Sequence, residues 1–279
     1  MWADLGTPLP PWEVPDEFLE PYFTDEPAAE DELDEEEEEQ PAEPLEPLTD
    51  PPEGPVDPQD DTLFLRLQST YASAVTYLDA GIAEVLEALA GQPGAEEVVI
   101  VLTADCGLPL GEHGMVGLVR PWLYHERVHV PLILRLPGSA QSGRRVWALT
   151  QAVDLAPTLA ELYGVSPGPA HGHSLLPLAR GQAEQVRAYA CSGAQIGEEI
   201  EWALRTHDWA FLLPVQVESR QPQLYVKPDD RWEVNDVLAR HIEQAEALER
   251  TLRAFVAAAG RPGPLEVPPL EDIHAEPAG

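Results

Sequence analysis

The feature that most constrains this chain is the stretch 98–137, VVIVLTADCGLPLGEHGMVGLVRPWLYHERVHVPLILRLP. It opens with six uncharged residues, 98–103, that run straight into Asp105, Cys106 and Gly107. A glycine-punctuated loop follows, carrying Glu112, His113 and Arg120, and a new apolar run starts at Val130. Continuous apolar strands of this kind are expected in a parallel sheet buried on both faces. Open α/β sheets bind ligands beyond the carboxyl ends of their strands, which is where Asp105 stands.

The surrounding sequence extends the pattern. From Thr62 to Ala90, Leu63, Leu65, Leu67, Tyr71, Ala74, Val75, Leu78, Ile82, Val85, Leu86 and Leu89 recur at helical spacing, with Asp61 placed to cap the start and Gly91 and Pro93 to stop the end. Asp154 is expected to cap a short helix in DLAPTLAELYG, with Pro157 in its first turn and Gly164 just past its end. Residues 165–186 read as loop. The short runs AYACS, EWALRT, DWAFLL and QLYV, between 187 and 226, read as a small antiparallel sheet. A last amphipathic helix is expected over about 234–258, with Leu238, Ile242, Ala245, Leu248, Leu252, Phe255 and Val256 on one face.

Charge divides the chain unevenly. Residues 1–61 hold 23 Asp or Glu and no Lys or Arg, so about two thirds of the net charge of −34 lies in the first fifth of the sequence. Both nucleic acids and anionic membrane surfaces are polyanions, and this balance argues against either as a partner. Residues 1–23 are proline-rich with aromatic anchors (Trp2, Trp12, Phe18, Tyr22, Phe23) and read as an extended arm lying on a folded surface. Residues 24–61, with five consecutive glutamates at 35–39, read as a disordered acidic linker, the alternative being an acidic calcium-binding or interaction tail. MWADLGTPLPPW has neither a basic n-region nor an apolar h-region, and no run approaches the roughly 18 apolar residues of a membrane span, so the sequence as written reads as cytoplasmic. The two cysteines, Cys106 and Cys191, are too few for a disulfide scaffold.

Candidate chemistry gathers in the opening stretch. Asp105 at a strand end is a metal-ligand or catalytic position, although many strands end in Asp-x-Gly turns. In GEHG, the glycines at 111 and 114 allow close backbone approach, and His113 can donate to an anionic oxygen or act as general acid. Arg120, followed by Tyr124, has the planar fork that suits sulfate or phosphate. The remaining histidines, the HGH at 171–173 included, lack metal spacing, and no phosphate-binding glycine loop or GxSxG elbow occurs.

Taken together and in order, these segments resemble the C-terminal half of the sulfatase family, within the alkaline-phosphatase-like superfamily. VLTADCG is similar to the family's strand and T-S-D-H/N-G, LGEHG to L-G-E-H-G, RPWLYHE to K-x-x-x-Y-E-E, and VHVPLIL to V-P-L-I. VDLAPTLAELYGV, GHSLLPLARG and QLYVKPDDRWEVNDVL resemble later family motifs. The likeness covers about residues 62–258. It implies an α/β fold: a partial sulfatase sheet-and-helix core over 62–186, a small antiparallel sheet with a terminal helix over 187–258, the disordered acidic segment 1–61 before them and a flexible tail, 259–279. It further implies sulfuric ester hydrolysis with a calcium ion and a formylglycine nucleophile. By the resemblance Asp105 is a metal ligand, Cys106 stands at the His/Asn ligand position, and Arg120 stands at the sulfate-contacting lysine.

The chain also departs from the family. No C/S-x-P-S/A-R motif, the source of the nucleophile, occurs in it, and the paired aspartates that follow the family's first strand are missing. Thiol sulfur is a poor calcium ligand. Three readings stay open: a sulfatase whose nucleophile-bearing half lies elsewhere, an inactive pseudoenzyme or binding module, and a phosphate or phosphonate ester hydrolase of the same superfamily. A zinc site on Cys106 and His113 is a fourth.

Overall fold

The structure is a computed structural model that describes residues 2–6, 8–23, 45–168, 170–216, 220–262 and 265–271. Its elements in chain order are α1 (Asp16–Phe23), β1 (Gly54–Pro55), α2 (Asp61–Ala90), β2 (Ile100–Thr103), β3 (Met115–Val116), α3 (His125–Val128), β4 (Leu132–Arg135), α4 (Leu155–Leu162), α5 (Leu176–Ala179), β5 (Ala190–Ile196), β6 (Glu199–Arg205), β7 (Trp209–Pro214), β8 (Gln223–Val226) and α6 (Ile242–Ala259), with short 3-10 turns between some of them. The chain divides into two units, one formed by Met1–Ala95 with Leu108–Val119, the other by Glu96–Gly107 with Arg120–Gly279. The boundary expected at 186/187 therefore falls inside the second unit.

The first unit is organised on α2. The helix begins one residue before the expected start, because Asp60, not Asp61, is its N-cap: the Asp60 carboxylate accepts the Leu63 N–H at 2.9 Å. Its buried stripe, Leu67, Thr70 and Ala74, packs with Trp12, Leu110 and Val116. The N-terminal arm does lie on this helix, but it is not extended throughout. Residues 16–23 form α1, with Asp16 and Glu17 in the first turn, where the helix dipole favours acids. Trp12 meets Tyr71 edge-on at 6.0 Å and Phe18 meets Tyr77 at 5.1 Å.

The acidic linker also needs correction at its downstream end. Residues 24–44 lie outside the described residues. Residues 45–60 are held in place: the Leu48 N–H donates to Thr70 Oγ1 at 3.0 Å, Arg66 donates to the Glu46 carbonyl at 2.7 Å, and β1 pairs antiparallel with β3. Leu48 and Val56 supply the apolar contacts that a purely acidic segment lacks.

In the second unit, β2 and β4 pair antiparallel, Ile100 opposite Arg135 and Thr103 opposite Leu132. This overturns the expected parallel pair. The connection between them holds the two-residue β3 and the single-turn α3 but no helix that carries the chain back across a sheet face, so β4 returns along β2. Neither strand is fully buried, and Ile133 is 61% exposed. The expected antiparallel sheet is present as β5-β6-β7-β8 in sequential order. One of its faces, with Leu204, Phe211 and Leu224, packs on Ala245, Leu248 and Leu252 of α6.

The final helix starts later than expected. Residues 234–241 make a loop and a 3-10 turn, because Asp230 accepts the N–H groups of Val234 and Asn235, and Asp236 accepts those of Leu224 and Leu238. The loop expected at 165–186 contains α5. Asp154 does not cap α4 through its side chain; its carboxylate accepts the Gln151 N–H at 2.8 Å, closing the preceding turn. Gly164 does stand past the end of α4 at φ 64°, with the Val165 N–H bonded back to the Ala160 carbonyl.

Because Leu67 is fully buried and Leu65 is 54% exposed on the same helix, Leu67→Ala is expected to cost about 2–5 kcal/mol and Leu65→Ala less than about 0.5. Urea denaturation followed by tryptophan fluorescence checks this, and equal costs refute the burial pattern.

Candidate functional site

Asp105 stands two residues past the end of β2 and is exposed. Its carboxylate accepts the Cys106 N–H at 2.8 Å, which turns the chain into Gly107. Gly107 is needed for room. A Cβ there would sit 1.8 Å from the Glu126 carbonyl oxygen, because the Gly107 N–H donates to the Arg127 carbonyl at 2.8 Å. Arg127 Nη1 donates to the Arg120 carbonyl at 2.7 Å. One arginine thus ties the D-C-G turn to the R-P-W-L-Y-H-E segment. Burial first, and the Asp105 carboxylate second, push the Cys106 thiol up, so it is a protonated thiol at neutral pH.

Arg120 is the candidate sulfate contact, and its guanidinium is engaged. It forms a two-pronged ion pair with Glu199 at the start of β6, Nε to Oε2 at 2.8 Å. The hydrogen bond from Arg120 holds the Glu199 carboxyl below the usual range.

His113 belongs to the first unit. There GEHG is a closed turn: the Gly114 N–H donates to the Gly111 carbonyl at 2.8 Å, and Glu112 accepts the Leu110 N–H at 2.8 Å. Gly111, at φ 107°, lies against Phe64, 2.2 Å from where a Cβ would be. His113 and Glu112 line an open cleft of about 600 Å³ with Asp61, Phe64, Gln68 and Leu110.

The residues that hold the second unit's candidate segment in place went unnoticed in the sequence. On β6, Glu201, Ala203 and Arg205 share one face, opposite the face that packs on α6. Glu201 is fully buried. It accepts the Leu123 N–H at 2.6 Å and ion-pairs with Arg220, whose guanidinium lies over the Trp122 ring at 4.4 Å. Burial raises the Glu201 carboxyl, and Arg220 opposes that shift. Glu233, also fully buried, accepts the His125 N–H at 2.9 Å and is paired with Arg205 at 2.9 Å and Lys227 at 3.1 Å. Tyr124 reaches Gln223 through its hydroxyl at 2.6 Å. The segment 120–125 is thereby laid across the sheet. A signal was present in β6: an acid and an arginine two positions either side of a buried alanine are unusual on an inward face.

A second polar hub explains two more motifs. Asp154, fully buried, accepts the His173 N–H at 2.8 Å and pairs with Arg187, while Thr158 Oγ1 accepts the Leu175 N–H at 2.9 Å. VDLAPTL and GHSLLPL are therefore two halves of one lock. The HGH motif serves through its backbone, and Gly172 has no room for a Cβ, which would lie 2.1 Å from the Val153 carbonyl. Both cysteines are free; burial pushes the Cys191 thiol up to about 12.

A calcium site needs about six to eight oxygen ligands. Among the described residues no group of three or more His, Cys, Asp or Glu side chains is placed to hold a metal. Asp105 alone, beside a protonated thiol, does not fit the ion. Nor is any described helix long and apolar enough to cross a membrane.

Comparison with known proteins fits these motifs. The sulfatase family profile matches residues 8–165, and that for the C-terminal region of N-sulphoglucosamine sulphohydrolase matches 111–253. The chain belongs to the sulfatase family. This sulfatase-family chain is 27% identical over 198 residues to arylsulfatase K of Danio rerio, covering 68% of itself and 37% of that relative. It superposes on a 2-O GAG sulfatase at a TM-score of 0.62 and 25% identity, over 71% of this chain and 44% of the other. It also superposes, at 0.63 and 24% identity, on a protein solved with its substrate D-glucosamine-2-N,6-O-disulfate, over 75% and 45%. It spans well under two thirds of the length of each.

Glu201→Ala strands Arg220 and a backbone N–H in the interior and is expected to cost about 3–5 kcal/mol, against less than about 1 for Glu199→Ala at its half-buried, more solvated pair. Chemical denaturation of both variants tests it, and equal losses refute it. A second outcome concerns His125, which burial and then His129 hold down to about 4 from 6.5. Between those two values the unfolded chain binds the proton that the folded chain refuses, so stability falls as pH drops through that window. His125→Phe is expected to flatten this part of the dependence of Tm on pH; parallel curves for variant and parent refute it.

Proposed function

We propose that this chain supplies the C-terminal part of a sulfuric ester hydrolase whose nucleophile comes from residues outside these 279. Support comes chiefly from one conjunction: the family profile and the ordered run of motifs from VLTADCG to VNDVL, with no C/S-x-P-S/A-R motif in any of the 279 residues. The reading places the chain in the alkaline-phosphatase-like core of the family. Asp105 acts in it as one metal ligand, beside Cys106 at the second ligand position. Arg120 is the cation presented to the sulfate once Glu199 yields it; His113, in the first unit, stands as a separate candidate donor to an anionic oxygen. The nucleophile and the remaining ligands arrive from another segment, whether of a longer polypeptide or of a separate one. Sulfated sugars, the substrate class of the superposed relative, are the substrates this reading favours.

A second reading has its own support. Arg120 is already paired with Glu199, Cys106 is a protonated thiol, and the described residues hold no three-donor cluster. These favour a chain that binds without turning over.

The 279 residues alone are expected to show no calcium-dependent hydrolysis of an aryl sulfate above an Asp105→Ala, Cys106→Ala double variant. Turnover above that control refutes the need for an outside nucleophile. The genomic sequence flanking the coding region separates the two readings: an in-frame C/S-x-P-S/A-R codon run supports the hydrolase, and its absence from both flanks and from any neighbouring gene supports the binding chain.

A further inference from the structure

The loop after β8 displays a group of side chains that neither the core nor the candidate site uses. Trp232 is 55% exposed. Arg231 lies with its guanidinium carbon 4.9 Å from the indole centroid, and His125 meets the same indole edge-on at 6.0 Å. His125 in turn stacks on His129, ring centroids 4.4 Å apart and 13° from parallel. A tryptophan held in water is informative when its backbone is rigid, and here it is. The next residue, Glu233, sits at φ 58°, in the left-handed region that non-glycine residues seldom occupy. It is held there by its buried carboxylate, which is fastened to Arg205, Lys227 and the His125 N–H. On the near side, Asp230 accepts the N–H groups of Val234 and Asn235. The loop is built, and what it builds is an indole facing outward.

In a chain of net charge −34, most of the cations near that indole are already committed. Lys227 and Arg205 spend their charges on Glu233, and Asp230 spends its carboxylate on backbone N–H groups. Among the described residues Arg231 has no carboxylate within ion-pair distance and rests on the indole instead. His125 Nε2 is buried without a hydrogen-bond partner among the described residues, and His129 beside it is exposed. An exposed indole flanked by an uncommitted planar guanidinium and imidazole donors has two complementary parts. The ring offers a rigid apolar surface to the C–H face of a sugar, and the guanidinium fork matches the oxygens of a tetrahedral anion.

We infer that Trp232, Arg231 and His129 form a binding site for a sulfated sugar ring, with the sugar's C–H face on the indole and a sulfate group on Arg231 and His129. The choice of sulfate among sugar-borne anions rests on the hydrolase reading above; the site itself does not require turnover.

The test is a calorimetric titration of the 279-residue chain with D-glucosamine-2-N,6-O-disulfate, with unsulfated glucosamine and with inorganic sulfate. The disulfate is expected to bind, and both Trp232→Ala and Arg231→Ala to weaken it by about tenfold or more. Trp232→Phe, which keeps a ring, is expected to retain most of the affinity. Glucosamine is expected not to bind in the same range, and sulfate alone to bind weakly, with dependence on Arg231 but not on Trp232. Since both side chains are exposed, the variants are expected to melt as the parent does; a Trp232→Ala variant that does not is replaced in the comparison by Trp232→Phe and Arg231→Ala. No binding of the disulfate, equal binding of glucosamine, or affinity unchanged in Trp232→Ala and Arg231→Ala overturns the inference. Binding that needs Trp232, in a chain with no C/S-x-P-S/A-R codon run in either flank or in any neighbouring gene, leaves this site standing and removes the hydrolase reading alone.

Discussion

Two buried carboxylates, Glu201 and Glu233, carry the arrangement of the second unit. Each reaches from the region of the four-stranded sheet to a backbone N–H of the segment 120–125, at Leu123 and His125, and each is matched by at least one cation. A buried charge is tolerable only when its hydrogen bonds are complete, and removing one partner costs far more than the pair contributes. Such hubs therefore fix position more than they add stability. Arg120, Trp122, Tyr124 and His125 all take their places from them, as does the indole of Trp232, one residue before Glu233.

The same device recurs at Asp154, which gathers Gln151, His173 and Arg187, while Thr158 takes the Leu175 N–H. Family motifs that look like catalytic signatures when read as strings are, in this part of the chain, instructions for joining loops. Gly107 and Gly172 belong to the same logic: each marks a spot where another backbone carbonyl lies closer than a side chain would allow. The D-C-G turn thus owes its glycine to the path of residues 126–127, and its aspartate is free to do chemistry that its glycine does not share.

Elements built from one repeated local choice were legible in the sequence. The stripe of α2 and the apolar face of α6 from Ala245 onward both follow from a single period, and the short apolar runs of β5–β8 stand out between their turns. What escaped were features set by partners far away in sequence. The 98–103 run looked like a strand of a parallel sheet because an uncharged strand carries no information about its neighbour's direction, and the neighbour proved to be the returning β4. Residues 45–60 looked disordered because acid and proline dominate them, while Leu48 and Val56 do the packing. Asp105, Arg120 and GEHG could be picked out as candidates, but not the pairing of Arg120 with Glu199, 79 residues away, nor the roles of Glu201, Glu233 and Arg127. Long-range polar pairs leave almost no trace in local pattern.

The β2–β4 ribbon has a further consequence. It is two strands wide among the described residues, and its second strand carries an isoleucine mostly in water. Two strands seldom hold together unaided, and each unpaired outer edge is a row of backbone donors and acceptors with the spacing of a template. The ribbon that leads to Asp105 is thus also the surface on which another strand would register most readily. The first chain to pair with Ile100–Thr103 or Leu132–Arg135, whether intended or a stray copy, decides between a wider sheet and a precipitate.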